Sequence, residues 1–244
     1  MNHAATIRKM QDMKLRGMTE AFQRMRESVL SSEKLTPDEM VGYLIDAEWE
    51  ERQARKLKRL IRGARFRYQA GFETLDFTLK RKMEKDMVMR LRDGAWISKA
   101  KNVVITGPTG VGKSYLASAL GHQACLLDYK VLYFNCLKLF GFLKQSQADH
   151  TYIREIKKIQ KADLLILDDF GLQSLEPKDR MSLMEIMEDR HGERSTVIVA
   201  QRPVSQWHQV IGDSTIADAI CDRLIHSAYR FDIDGENARK VKKS

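Results

Sequence analysis

Cysteine is scarce, with three residues in 244, and none of Cys125, Cys136 and Cys221 forms a C-x-x-C pair. This excludes a paired-cysteine zinc site and a fold stapled by disulfides. Each cysteine stands beside apolar neighbours, which predicts buried thiols held in a reducing compartment. Long hydrophobic runs are also missing: no stretch approaches the roughly 18 apolar residues of a membrane span. The N-terminal MNHAATIRKMQDMKL has no apolar core of a secretion signal. A cytoplasmic protein without a membrane partner is expected. There is no internal repeat and no low-complexity tract. Negative charge is in deficit, with 33 acidic against 42 basic residues, a net charge of +9 and a pI near 9.4. That balance points to a polyanionic partner, nucleic acid ahead of a membrane surface, although a merely soluble basic protein carries the same sum.

The length suits one sizeable α/β core with a smaller appendage. Residues 1–66 contain no strand-like run and read as an all-helical N-terminal domain for partner or DNA binding. Met18, Phe22, Met25 and Val29 keep helical spacing, the pattern of a helix seam. In TPDE, Thr36 is the expected N-cap, Pro37 the first helical residue and Glu39 the capping-box acid, opening a long helix towards Gly63. From about residue 70 the texture changes. GFETLDF forms a turn-rich junction, a helix is expected from Leu79 to about Leu91, and short apolar runs then alternate with helical stretches. The runs are NVVIT, KVLYFN, DLLILD, STVIVA and AYRFDI. Strands alternating with helices predict, over residues 67–244, a parallel sheet flanked by helices on both faces.

Directly after the first run comes GPTGVGKS, matching G-x-x-x-x-G-K-[ST] between a strand and an amphipathic helix. Its glycines let the backbone curl so that N–H groups face phosphates, and the following helix adds the positive end of its dipole. ATP is the expected ligand, held by Gly107, Pro108, Thr109, Gly110, Val111, Gly112, Lys113, Ser114 and Tyr115. Lys113 is expected to reach the β- and γ-phosphates, and the Ser114 hydroxyl to ligate Mg²⁺. A second acidic strand end is then required, and LLILDDFG supplies it. Asp168 ends a buried strand as the second magnesium partner. Adjacent strand side chains diverge, so Asp169 is expected to face the γ-phosphate and polarise the attacking water. Phe170 and Gly171 then read as the turn leaving the sheet.

The DFG inside that stretch is no kinase signature. No H-R-D-type loop precedes it, the glycine pattern is not G-x-G-x-x-G, and the following chain is expected to be too short for a kinase C-lobe. Two further residues have open alternatives. Gln201, at the tip of the fourth strand in VAQRP, either senses the γ-phosphate from between the first and third strands or begins a loop. Arg223, beside the apolar face of DAICDRLIHSAYRF, either pairs with Asp218 or Asp222 or reaches a neighbouring subunit's γ-phosphate as an arginine finger.

These motifs resemble the AAA+ ATPases of the initiator and helicase-loader group, and more closely the IstB-like transposition helpers of insertion sequences. The likeness runs through MTEAF, ARFRYQAGFETLDF, NVVITGPTGVGKS, LLILDDFG and MEDRHGERSTVIVAQRP, and is most specific in WHQVIGDSTIADAICDRLIHSAYRFDIDGENARK. It implies an ATPase that self-assembles on duplex DNA with ATP at subunit interfaces. Such a protein selects or remodels the transposition target and recruits its cognate transposase. It also implies Arg223 as the finger, Gln201 as sensor I, Arg239 as a sensor II candidate and residues 72–77 beside the adenine. Two departures qualify it. The chain after Arg223 is expected to lack the helical lid usual in AAA+ proteins. Asp169 stands where glutamate is common, which implies slow hydrolysis suited to a switch. A DnaC-like helicase loader, a clamp driven by ATP binding alone and a small-molecule P-loop kinase are the alternatives.

The densest basic run is RQARKLKRLIRGARFR. On a helix, Ala54, Leu57, Ile61 and Ala64 form an apolar stripe and Arg52, Arg55, Lys56, Arg59 and Arg62 cluster on another side. A solvated face is one reading. The other is salt-sensitive phosphate contact with duplex DNA, on the ground that Glu51 is the acid accompanying these bases. Arg239, Lys240, Lys242 and Lys243 form a second basic tract.

Overall fold

The computed structural model describes residues 3–28, 36–78 and 83–235. Val29, Arg239, the C-terminal lysines and the start of the helix expected from Leu79 lie outside them. The chain divides into two compact units, Met1–Arg59 and Leu60–Ser244.

In the first unit, α1 (His3–Asp12) and α2 (Arg16–Ser28) are joined through Lys14, which reverses the chain with a φ of 61°. The long α3 runs over Pro37–Ala64. Its start is the expected capping box: the Thr36 N–H donates to Glu39 Oε2 at 2.7 Å and the Glu39 N–H to Thr36 Oγ1 at 3.3 Å. Gly17 lets α2 lie against α3, since a Cβ there would stand 2.2 Å from the Ala47 carbonyl oxygen. The buried Glu48 carboxylate accepts the Met18 N–H at 3.3 Å, near the start of α2, and the Arg52 guanidinium at 2.6 Å. A carboxylate so placed satisfies an N–H that helix geometry leaves unpaired and complements the dipole. Burial works to raise its pKa, but the hydrogen bonds from Arg52 and Met18 outweigh burial and hold it below its ordinary 4.5.

The second unit takes in the end of α3 from Leu60, then the junction with one 3₁₀ turn over Phe72–Thr74, α4 (Lys85–Arg90) and α5 (Ala95–Ser98). The helix expected over Leu79–Leu91 is therefore shorter among the described residues, entered through an extended Glu84. Strands β1 (Val103–Thr106), β2 (Val131–Asn135), β3 (Leu164–Phe170), β4 (Ser195–Ala200) and β5 (Tyr229–Asp232) pair in parallel in the order β2-β3-β4-β1-β5. Between them run α6 (Lys113–Leu126), α7 (Cys136–Ala148), α8 (Tyr152–Gln160), α9 (Pro177–Arg190), α10 (Trp207–Ile211) and α11 (Ser214–Ile225). Leu165, Leu167 and Ile198 pack with Leu139 of α7, Ile156 of α8, Leu183 of α9 and Ile220 of α11. Ile166 points the other way, to α6, where a Cβ on Gly121 would meet its Cδ1 at 2.8 Å. Burial on both faces explains why the central strands read as continuous apolar runs rather than alternating ones. Among the described residues, no helix is long and apolar enough to cross a membrane.

One strand departs from the sequence expectation. β3 continues through Phe170, which pairs with Ala200 after a register shift beyond Leu167, and Asp169 takes a φ of 58°. Phe170 is thus sheet, buried edge-on against Trp207 at 4.8 Å between ring centroids, and the turn begins at Gly171.

Candidate functional site

The strand order sets β4 between β1 and β3, so the loops leaving β1 and β3 face each other across the carboxyl end of the sheet, a common position for ligand crevices in open α/β folds. The loop after β1 is the glycine-rich one. Gly107, Gly110 and Gly112 take φ values of 140°, 94° and 97°, which L side chains rarely adopt. At Gly107 the requirement is doubled, because a Cβ would stand 2.0 Å from the Ile233 carbonyl oxygen on the chain leaving β5. α6 begins immediately, with Lys113 and Ser114 in its first turn. The largely buried Lys113 ammonium is curled back on its own loop, donating to the Pro108 carbonyl at 2.8 Å. Pro108, Thr109 and Val111 complete the loop.

Across the crevice, Ser114 Oγ donates to Asp168 Oδ1 at 2.9 Å, joining the P-loop helix to the end of β3. One hydroxyl and one carboxylate suit Mg²⁺, which takes few protein ligands and completes its shell with water and phosphate oxygens. The loop conformation likewise suits a triphosphate. Asp168 is fully buried, and its second oxygen accepts the Tyr133 hydroxyl at 2.5 Å and Arg67 Nη1 at 3.1 Å. Burial, then the Asp168 charge, pushes the Tyr133 phenol well above its ordinary range, which keeps it a donor.

Asp169 does not diverge from its neighbour as a regular strand requires. The positive φ and the register shift act as a bulge, turning both carboxylates towards one guanidinium. Arg67 Nη1 reaches Asp169 Oδ2 at 2.8 Å as well as Asp168, and Asn135 Nδ2 donates to the same Asp169 oxygen at 2.8 Å. Burial opposes the Arg67 charge, but its bonds to Asp168 and Asp169 outweigh burial and raise its pKa.

The sequence reading missed Arg67, Tyr133 and Asn135 in this cluster. Asn135 ends β2 directly opposite Asp168 in the register, a placement legible only once β2 and β3 are known to be neighbours. Arg67 lies 101 residues from Asp168 in a segment whose bases read as one surface run. Tyr115 faces the junction, its hydroxyl donating to Thr74 Oγ1 at 2.8 Å and its ring 6.0 Å from that of Tyr68. Gln201 is half-buried directly beyond β4, between the ends of β1 and β3 as expected.

Arg223 pairs with neither Asp218 nor Asp222. Its Nη2 meets Glu188 Oε2 on α9 and its Nη1 donates to the Ala219 carbonyl at 2.9 Å, while Asp218 takes His208 at 2.8 Å. The reason is helical spacing: residues one or five positions away do not share a face with Arg223. Among the described residues its buried Nε has no hydrogen-bond partner.

The basic face of α3 is also corrected. Glu51 is not the sole counter-charge, because Glu48, one turn before Arg52, ion-pairs with Arg52 at 2.6 Å and with Arg55 at 3.6 Å, while Glu51 takes Arg55 at 3.1 Å. Arg59 and Arg62 are exposed and Lys56 is half-buried. The expected apolar stripe is graded, from exposed Ala54 through half-buried Leu57 and Ile61 to buried Ala64. Cys125 and Cys136 are buried and Cys221 is half-buried, all as free thiols, and burial pushes Cys125 up to about 12.

The family model for the IstB-like ATP binding protein matches residues 8–244. The chain is 44% identical over 235 residues to the insertion sequence ATP-binding protein y4pL of Sinorhizobium fredii, covering 96% of each chain. It is similar in structure to DnaI, with a TM-score of 0.58 at 21% identity, over 72% of this chain and 93% of that one. It is similar also to the DnaC helicase loader, with a TM-score of 0.54 at 18% identity, over 61% of this chain and 87% of that one. At such identities the two structures share a fold with it, the helix-flanked parallel sheet of P-loop AAA+ proteins. The nearly full-length match, on a chain whose P-loop helix is tied through Ser114 to Asp168, establishes that this chain belongs to the IstB-like ATP binding protein family.

Proposed function

We propose that this protein is an ATP-hydrolysing, DNA-binding helper of transposition, which self-assembles on duplex DNA, selects or remodels the target site, and recruits and stimulates its cognate transposase. The observation that carries the proposal is the 2.9 Å link between Ser114 on the P-loop helix and Asp168 on β3, within a family of insertion-sequence ATP-binding proteins. When bound, ATP supplies the phosphoanhydride and Mg²⁺ the charge that offsets its phosphates. The loop from Gly107 to Gly112 would orient the phosphates with its N–H groups, and Lys113 would exchange Pro108 for them. Ser114 and Asp168 would hold the metal, and Asp169, steadied by Asn135, would orient the attacking water and accept its proton. Tyr115 and the 72–77 segment, linked through Thr74, border the nucleotide. Gln201 stands at the γ-phosphate side.

Arg223 acts in trans on this reading, since its own protomer holds it against Glu188 rather than at the phosphates. Assembly exchanges that contact for a neighbour's nucleotide. Lys56, Arg59 and Arg62, with Arg52 and Arg55 released from Glu48 and Glu51, contact DNA phosphates. Sequence-independent affinity that falls steeply with salt follows from that chemistry.

Electron microscopy of the protein with duplex DNA, with and without ATP, tests the proposal. ATP-dependent rings or spirals on the duplex are expected, and a discrete monomer under both conditions overturns it. A helicase loader is the rival assignment, and capture of a hexameric helicase in place of the transposase decides for it.

A further inference from the structure

The acidic pair at the end of β3 already holds a cation of the protein's own. Arg67 Nη1 stands 3.1 Å from Asp168 Oδ2 and 2.8 Å from Asp169 Oδ2. Asp168 is fully buried and meets four donors: Ser114 Oγ and the Asp169 N–H on one oxygen, Tyr133 Oη and Arg67 Nη1 on the other. Two carboxylates turned towards one point repel each other, and burial removes the water that would screen them, so a positive charge between them is a requirement of the geometry.

The partners of that charge differ in freedom. Asp168, Asp169, Tyr133 and Asn135 are fixed on adjacent strands. Arg67 projects from the junction, with its side chain 40% exposed. Its backbone is pinned on both sides, by Phe66, whose ring lies where a Cβ on Gly121 would come within 2.4 Å, and by buried Ala70. While it sits in the pair, the guanidinium also has its Cζ 5.7 Å from the Tyr68 ring centroid, so an aromatic face flanks it on the open side. The side chain can swing outwards while the segment stays in place.

We propose that Arg67 is a resident cation of the Asp168–Asp169 pair, which neutralises the site before nucleotide arrives and which Mg²⁺ must displace in order to bind Asp168. A dication on the Ser114 side of Asp168 and a guanidinium on its other oxygen repel each other at a few ångströms, so metal and Arg67 compete for the same carboxylate charge. Metal-free nucleotide therefore enters a site still closed by Arg67, and the metal is the agent that opens the pair. The inference rests on the proposed metal role of Ser114 and Asp168.

Binding of a fluorescent ATP analogue is measured against a Mg²⁺ titration for the wild type, Arg67→Gln and Arg67→Lys. The Mg²⁺ midpoint falls about fivefold in Arg67→Gln, the order set by losing the partly exposed guanidinium and its two carboxylate contacts. Arg67→Lys, which keeps the charge without the planar fork, falls between, and guards against a folding defect in the first variant. Thermal unfolding without nucleotide supplies a second reading: Arg67→Gln melts below the wild type in EDTA and recovers when Mg²⁺ alone is added, whereas the wild type responds weakly. An unchanged or higher midpoint overturns the proposal. So does an equal loss of analogue binding with and without Mg²⁺, which makes Arg67 a phosphate ligand instead. If wild-type binding ignores Mg²⁺ altogether, the metal reading of Ser114 and Asp168 fails first and this inference with it.

Discussion

Arg190, the last residue of α9, is 1% exposed, and among the described residues no carboxylate is bonded to it. Its guanidinium donates instead to neutral oxygens: Nη1 to the carbonyls of Ile159, Gln160 and Ala162 at 3.0, 3.0 and 2.7 Å, Nη2 to that of Ser195, and Nε to Thr196 Oγ1 at 3.1 Å. Ile159 and Gln160 end α8, where carbonyls lack helical partners and the dipole is negative, so a cation belongs there. Burial, with some repulsion from Arg194, pushes the guanidinium down to about 9, still charged at neutral pH. Replacement by methionine keeps much of the volume and takes a donor from each of these oxygens; the Ile159 carbonyl keeps the Ala162 N–H at 3.3 Å, and each buried oxygen left unpaired costs about 1–3 kcal/mol. The variant no longer bears the desolvation of the charge, which offsets part of that loss. A net destabilisation of about 3–5 kcal/mol is expected, by analogy with breaking a buried polar pair. Against a total stability of about 5–15 kcal/mol this is severe. Buried Trp96 and Trp207 report unfolding of this unit by fluorescence. With a urea slope of about 2 kcal/mol per M, the midpoint of Arg190→Met falls by roughly 1.5–2.5 M. Arg194→Met, which breaks a partly exposed pair with Asp163, costs at most about 1 kcal/mol. If the two variants lose similar small amounts, the carbonyl cage does not stabilise this core.

Lys113→Ala loses at least about a hundredfold in ATP affinity by calorimetry while its circular dichroism is unchanged, since the residue's charge is needed by phosphates rather than by the fold. Arg223→Ala binds ATP normally but loses about 10³-fold in hydrolysis. Mixing it with Lys113→Ala restores part of the rate, because one variant supplies the P-loop and the other the arginine; an inactive mixture places Arg223 in cis. In the first unit, the Glu48 carboxyl is held below 4.5, so its contribution is fully present above that pH and is lost as pH falls through the lower folded value. Wild type and Glu48→Gln therefore converge in stability in acid and separate above it, and parallel curves across the range would contradict this.

Much of the site was legible because its chemistry is local in sequence. All eight residues of GPTGVGKS, Gly107 to Ser114, either form the loop or start α6, so their spacing is legible as a motif. Gln201 needed one further step, the inference that β4 lies between β1 and β3. The partners of Asp168 and Asp169 were not legible, since Tyr133, Asn135 and Arg67 carry no motif and come together only through strand pairing and a folded junction. The partner of Arg223 was sought on its own helix, whereas helix packing brings Glu188 from α9.

The amino-acid sequence by itself determined the alternation of strands and helices, the phosphate loop and the capped start of α3, because hydrophobic period, glycine freedom and capping hydrogen bonds act over a few residues. Tertiary structure alone decided which charges meet. A bulge after Leu167 turns Asp169 back towards Asp168, and the junction brings Arg67 to both, since electrostatic pairing depends on distances in space that sequence separation does not encode.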